Sequence, residues 1–140
     1  MKKLLSLIAV LTLILATFTA CSKDDYNDDS SIKENIIGTW EGTAILIDGK
    51  WIDITKYPYS SRVSISATFY KDGTYYGRGS LGTGSGTYKV NGKTIETYVG
   101  GKLYLKYKVK EMTSTTAELT IIEGSSSIDV KVKKVKSSRI

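Results

Sequence analysis

Histidine is absent from all 140 residues, and cysteine occurs once, at position 21. Without histidine the chain lacks the commonest general base and the commonest metal ligand, so a zinc site of the usual nitrogen and sulfur form is excluded. A single cysteine allows no intramolecular disulfide. The carboxylates do not make up for these absences. Asp48 and Asp72 fall in turn sequences, Glu96, Glu111 and Glu118 fall on outward or strand-end positions, and only Glu41 and Asp53 have no facing set by pattern. A calcium loop needs a central glycine and a closing glutamate, which the acidic stretch after Cys21 does not contain. The glycine-rich run GRGSLGTGSGTYK at 77–89 has neither a following helix nor a Gly-Lys-Ser/Thr ending, so it is not a phosphate loop. The expectation is a protein that is not an enzyme and takes no metal or cofactor.

Long apolar runs are also missing, except at the start. Lys2 and Lys3 precede an apolar stretch from Leu4 to Phe18, and Thr19-Ala20 form a small-residue cleavage site. This is the layout of a processing segment over residues 1–20, too short for a membrane-spanning helix. The segment TFTAC resembles the lipobox of bacterial lipoproteins, with Phe18 at the usual leucine position. That resemblance implies that Cys21 becomes the new N-terminus and carries acyl chains such as palmitate. Two or three chains anchor a protein durably, at about 0.8 kcal/mol per buried methylene. The alternative is an ordinary secretory peptide with an incidental cysteine after the cut.

The next residues, SKDDYNDDSS, resemble the acidic export signal that sends some Gram-negative lipoproteins to the outer face of the outer membrane. The resemblance implies an outer-membrane, cell-surface address with the membrane as partner through the N-terminal lipid. Read for composition alone, the same stretch is a solvated tether, and both readings hold together. Residues 21–35 are therefore assigned to the lipidated cysteine and an acidic tether, and 36–140 to the folded domain. Charge divides the same way: residues 21–35 carry two basic against five acidic groups, while 36–140 carry sixteen against nine. No nucleic-acid-reading motif accompanies the basic excess, and many of its lysines alternate with apolar residues in strands.

After residue 38 a helical period is absent, whereas alternation of period two recurs between turn signals. Only SSIKENII at 30–37 reads as a short helical turn, with a serine cap and Gly38 as its stop. The hairpins can be placed in register. A three-residue turn Lys71-Asp72-Gly73 pairs Phe69 with Tyr75 and Ala67 with Gly77, keeping the apolar face intact. A two-residue turn Asn91-Gly92 sets Tyr88 opposite Ile95, and a three-residue turn Val99-Gly100-Gly101 sets Ile95 opposite Leu105 and Thr97 opposite Leu103. Inward positions then include Leu103, Leu105, Tyr107 and Val109, then Ala117, Leu119 and Ile121, then Ile128, Val130 and Val132. Tyr70, Tyr76, Tyr98 and Tyr104 point outward. Eight or nine strands in simple succession predict an all-β fold, a single up-and-down antiparallel β-barrel of about eight strands, because closure removes exposed edges.

The stretch NIIGTWEGT at 35–43 runs a helical turn into Gly38-Thr39-Trp40 at the head of the first strand. It resembles the Gly-x-Trp signature of lipocalins. With ATFYKDGTYYG and a basic last strand, residues 36–136 resemble the bacterial lipocalin-like lipoprotein domains. The resemblance implies that Trp40 plugs one barrel end and that a basic residue near the last strand packs over it, here Lys133, Lys134, Lys136 or Arg139.

Candidate ligand contacts come from tyrosine and glycine. Tyr75, Tyr88 and Tyr107 face inward beside Gly77 and Gly79, which is the make-up of a ring-lined cavity with hydroxyls for orientation. The plainer reading is that tyrosine is a good strand former with a wet tip. The 77–89 run is expected to form a long flexible hairpin tip at the barrel mouth. Two functions follow: binding of a small, partly apolar ligand, or docking of an envelope protein or acidic glycan through an outer face that includes Tyr104 and Lys106.

Overall fold

The computed structural model describes residues 29–136. The processing segment, Cys21, the acidic stretch through residue 28, and Arg139 lie outside the described residues. A short helix, α1 (Asp29–Asn35), leads into β1 (Gly38–Ile47) and β2 (Lys50–Asp53). Then follow β3 (Ile65–Phe69), β4 (Thr74–Gly79), β5 (Gly84–Asn91), β6 (Thr94–Val99), β7 (Lys102–Met112), β8 (Thr116–Glu123) and β9 (Ser126–Lys136). Every pairing is antiparallel between neighbours in sequence, apart from β1 with β3 and the closing pair of β1 with β9. Eight strands make the closed up-and-down barrel, and β2 is a spur.

The spur exists because β1 changes partner along its length. Its first residues, Gly38 to Glu41, pair with β3, and its last, Ala44 to Ile47, pair with β2. The opposite edge pairs with β9 through two irregularities. Such breaks in register bend a strand and sharpen the local twist, which is what closing a small barrel requires.

Helix α1 seals one end. Ile32 and Ile36, four residues apart and so on one helical face, are both buried in the barrel core. Residues 29–35, part of the stretch assigned to the tether, form this helix and bury Ile32 in the barrel. At this helix end also lie the β3–β4, β5–β6 and β7–β8 turns. The far end carries the long connection from β1 to β3 and the β4–β5, β6–β7 and β8–β9 turns.

The first hairpin has its expected register, with Phe69 opposite Tyr75 and Ala67 opposite Gly77. Two others differ. Asn91 pairs with Thr94, so the β5–β6 turn is Gly92-Lys93, and Tyr88 faces Thr97 rather than Ile95. A slip of two residues leaves every side chain on its original face, so the apolar pattern could not separate the two registers. The β6–β7 turn is the two-residue Gly100-Gly101, both at positive φ as a type I′ turn demands. A bulge between Thr97 and Tyr98 then inserts Tyr104 as an extra residue on β7. As a result Leu103 is half exposed instead of inward, and Tyr104 turns from the outer face to pack on the core.

The interior is filled. Phe69 is its hub: its ring stacks on Tyr75 at 5.9 Å and meets Tyr88 and Tyr107 edge-on at 5.0 and 5.9 Å. The cavity beside Trp40 measures about 20 Å³ and the one beside Tyr75 and Tyr107 about 10 Å³. Gly77 and Gly79 do not leave the volume expected of them: the Tyr75 ring lies over Gly77, as it does over Gly86, and the Ser64 backbone lies against Gly79. A Cβ at Gly77 would stand 3.4 Å from that ring and one at Gly86 3.2 Å from it.

Candidate ligand site

Of the residues expected to line a ligand site, Tyr75, Gly77 and Tyr107 come together toward the far end of the barrel. Tyr75 and Tyr107 are both buried. Burial raises the Tyr75 phenol above its ordinary range, an effect partly offset by a hydrogen bond with the side chain of Thr97. Thr97 is itself fully buried on β6, and its hydroxyl donates to the Leu105 carbonyl (3.0 Å) while accepting from the Leu105 amide (3.1 Å). This exchange ties it across the bulged part of the β6–β7 pair.

Tyr107 is different. Burial drives its phenol strongly upward, with Tyr75 and Tyr104 adding to the shift, so it is neutral throughout the ordinary pH range. Its hydroxyl has no hydrogen-bond partner among the described residues. Leaving a buried polar group unpaired costs about 1–3 kcal/mol. Neutral phenols next to a small void can donate a hydrogen bond to an acceptor atom but cannot act as bases.

Above this group lies the β4–β5 strap, residues 79–84. It was expected to be a long, open and flexible tip, but β4 runs on to Gly79 and β5 begins at Gly84. The remaining tip folds inward. Leu81 packs against the core, its carbonyl accepts the Tyr104 hydroxyl, and a Cβ at Gly82 would collide with that hydroxyl. The Ser80 amide donates to the Ser64 carbonyl (2.7 Å), and the Ser64 amide donates to the Ser80 hydroxyl (3.0 Å). Gly79, one of the expected ligand contacts, sits at the root of the strap with φ +106, against the Ser64 backbone. Leu81 was not singled out from sequence, and Tyr104 was expected on the outer docking face rather than at the barrel mouth. Only the bulge brings Tyr104 to the mouth, and no residue pattern announces it.

Tyr88 goes elsewhere. Its hydroxyl donates to the Tyr70 carbonyl (2.8 Å), and its ring lines a surface cleft of about 740 Å³ at the helix end, between α1, the β3–β4 turn and β5. Gly38 and Trp40 stand at that same end. The Trp40 indole N–H donates to the Ile36 carbonyl (2.8 Å), and the Lys134 ammonium lies 5.1 Å from the indole centroid. Lys134 is thus the basic residue over the tryptophan, and partial burial lowers its pKa.

The two carboxylates lacking a settled facing do not form a pair. Asp53 caps its own turn, accepting from the Thr55 amide and hydroxyl at 2.8 and 2.5 Å, and Glu41 lies on the outer face opposite Ser66 and Lys133. Among the described residues no group of three or more His, Cys, Asp or Glu could hold a metal.

A family model described as a lipocalin-like domain matches residues 36–121, from the residue that accepts the Trp40 proton to the inward Ile121 of β8. No curated protein and no solved structure matches the chain.

Proposed function

Because the chain belongs to the lipocalin-like family, we propose that it is a binding protein, lipid-anchored through Cys21 at the outer membrane and surface-exposed. Its barrel takes a small, partly apolar ligand beneath the β4–β5 strap. The observation that carries this reading is the Tyr107 hydroxyl, buried beside Tyr75 without a hydrogen-bond partner among the described residues. A ligand with an apolar body and a neutral acceptor oxygen satisfies that hydroxyl and replaces the packing that Leu81 supplies. The closed interior holds no such molecule at its present volume, so entry requires the strap to lift from Tyr104 and Ser64. Binding is the activity this arrangement supports: the buried phenols stay neutral and can donate a hydrogen bond to an acceptor.

The test is native mass spectrometry of residues 22–140, prepared without lipid and incubated with envelope extracts. A retained small molecule of defined mass, lost in Tyr107→Phe, supports the reading. A clean apo mass across repeated extracts overturns it.

A second reading, docking of an envelope protein or glycan, is favoured by the far-end rim. Among the described residues, five of the seven exposed large hydrophobics, Ile47, Tyr57, Tyr59, Val99 and Leu103, belong to connections or strand ends there. Tyr104 is committed to the strap, so the outer Tyr/Lys face is reduced mainly to Lys106. Crosslinking on cells, with Leu103→Ala and Tyr57→Ala as the variants that abolish the product, tests this alternative.

A further inference from the structure

Helix α1 and the turn that follows it have two working faces. Ile32 and Ile36 point into the barrel, while Lys33, Glu34 and Ile37 face the helix-end cleft. The cleft floor is apolar and rigid: Ile37 and Val90 pack against the core, and the Tyr88 ring is held by Phe69 and by its hydrogen bond to Tyr70. Around the floor the basic residues outnumber the acidic ones, which are Glu34 and the turn residue Asp72 whose charge acts on the Tyr88 phenol. Lys71 from the β3–β4 turn and Lys89 from β5 line the cleft with Lys33, against Glu34, and Lys93 stands exposed in the adjacent β5–β6 turn. Lys71, Lys89 and Lys93 make no ion pair among the described residues, whereas Lys110 is bound by both Asp129 and Glu118.

The position of this cleft on the chain gives its occupant. Cys21 precedes the start of α1 at Asp29 by eight residues, which span at most about 29 Å when fully extended. A lipid on Cys21 therefore keeps the helix end within that distance of the bilayer. We infer that the helix-end cleft seats the anionic head group of a membrane phospholipid, its phosphate among Lys33, Lys71 and Lys89 and its glycerol and first methylenes on Ile37, Val90 and Tyr88. This rests on the lipid-anchored reading for its orientation. Lysines near an anionic surface add electrostatic attraction and fix the orientation, which an acyl anchor alone does not do. The barrel then stands with its strap and far-end rim turned away from the membrane.

The experiment is vesicle cosedimentation of residues 22–140 without lipid, so that the cleft is measured apart from the anchor. Neutral phosphatidylcholine vesicles are compared with vesicles containing phosphatidylglycerol at low salt. The expected result is binding to the anionic vesicles only, reduced at least about tenfold in Lys71→Glu/Lys89→Glu and unchanged in the far-end pair Lys50→Glu/Lys102→Glu. Equal loss in both pairs, or equal binding to neutral vesicles, overturns the assignment. So does binding of inorganic phosphate, read by calorimetry, without any vesicle preference. Near-UV circular dichroism shows whether the variants keep their packing. If Lys71→Glu/Lys89→Glu does not, the single charge-neutral Lys71→Gln is read instead, with an expected drop of a few-fold. Retention of a small ligand in the barrel is read separately by native mass spectrometry, so either proposal can fail alone.

Discussion

Lys134 and Trp40 are register partners across the β1–β9 seam, and the lysine ammonium lies over the indole face while the indole N–H is donated to the Ile36 carbonyl. One ring thereby joins the first strand, the last strand and the chain leaving the helix. Lys134→Ala is expected to cost about 1–2 kcal/mol by removing a partly desolvated cation–π contact. Trp40→Ala should cost about 3–5 kcal/mol, since it adds a core void to the lost contact. Urea denaturation gives both values. An equal effect of the two substitutions would show that the contact, rather than the packing, holds this end.

Gly86 and Gly84 lie two residues apart on β5 and should respond oppositely to alanine. A Cβ at Gly86 would collide with the Tyr98 carbonyl and press on the Tyr75 ring, whereas one at Gly84 meets nothing within 4 Å. Gly86→Ala is expected to lose at least about 2 kcal/mol, and Gly84→Ala to stay within about 0.5 kcal/mol of the parent. Thermal melts of the two variants side by side check the difference.

Tyr107→Phe removes a buried hydroxyl that has no hydrogen-bond partner among the described residues, so stability at neutral pH should stay level or rise by up to about 1 kcal/mol. At alkaline pH the sign is set by the raised phenol pKa values of Tyr75, Tyr88 and Tyr107. The folded state disfavours phenolate, so this contribution is fully present below the unfolded pKa near 10 and is lost as pH rises from there toward the folded values. Urea midpoints followed from pH 8 upward, an order-of-magnitude span above neutrality, should fall steeply for the parent and less steeply for Tyr107→Phe.

Tyr104→Phe keeps the ring and deletes the hydrogen bond to Leu81. Loss of about 1 kcal/mol from the strap alone raises its open population roughly fivefold. The Ser80 and Gly82 amides, which donate to Ser64 and Gly79, should exchange correspondingly faster, while the Leu105 amide on Thr97 should not change. Native-state hydrogen exchange resolves these amides individually. Uniform acceleration would mean that the strap opens only with the whole barrel.

What was legible in the chain was whatever depends on alternation and turn chemistry. Period-two patterning with short turns specified a closed antiparallel barrel, and the Phe69–Tyr75 hairpin could be registered because a one-residue slip would have turned its apolar face to water. Gly38-Thr39-Trp40 marked the plugged end, since its position at the first strand is itself local information. The tertiary structure alone decided the rest. The β5–β6 register differs from its rival by two residues, a shift that costs no change of facing. The bulge that swings Tyr104 over the mouth depends on how β7 closes against β6, and the choice of Lys134 among four basic residues depends on an irregular β1–β9 pairing that joins the two ends of the fold. Cavity volume is the clearest case. Glycines at 77 and 79 suggest open space when read along strands, but the Tyr75 ring lies over the first and the Ser64 backbone against the second, because side chains and backbone fill an interior in three dimensions whereas a sequence shows only which face each residue is on.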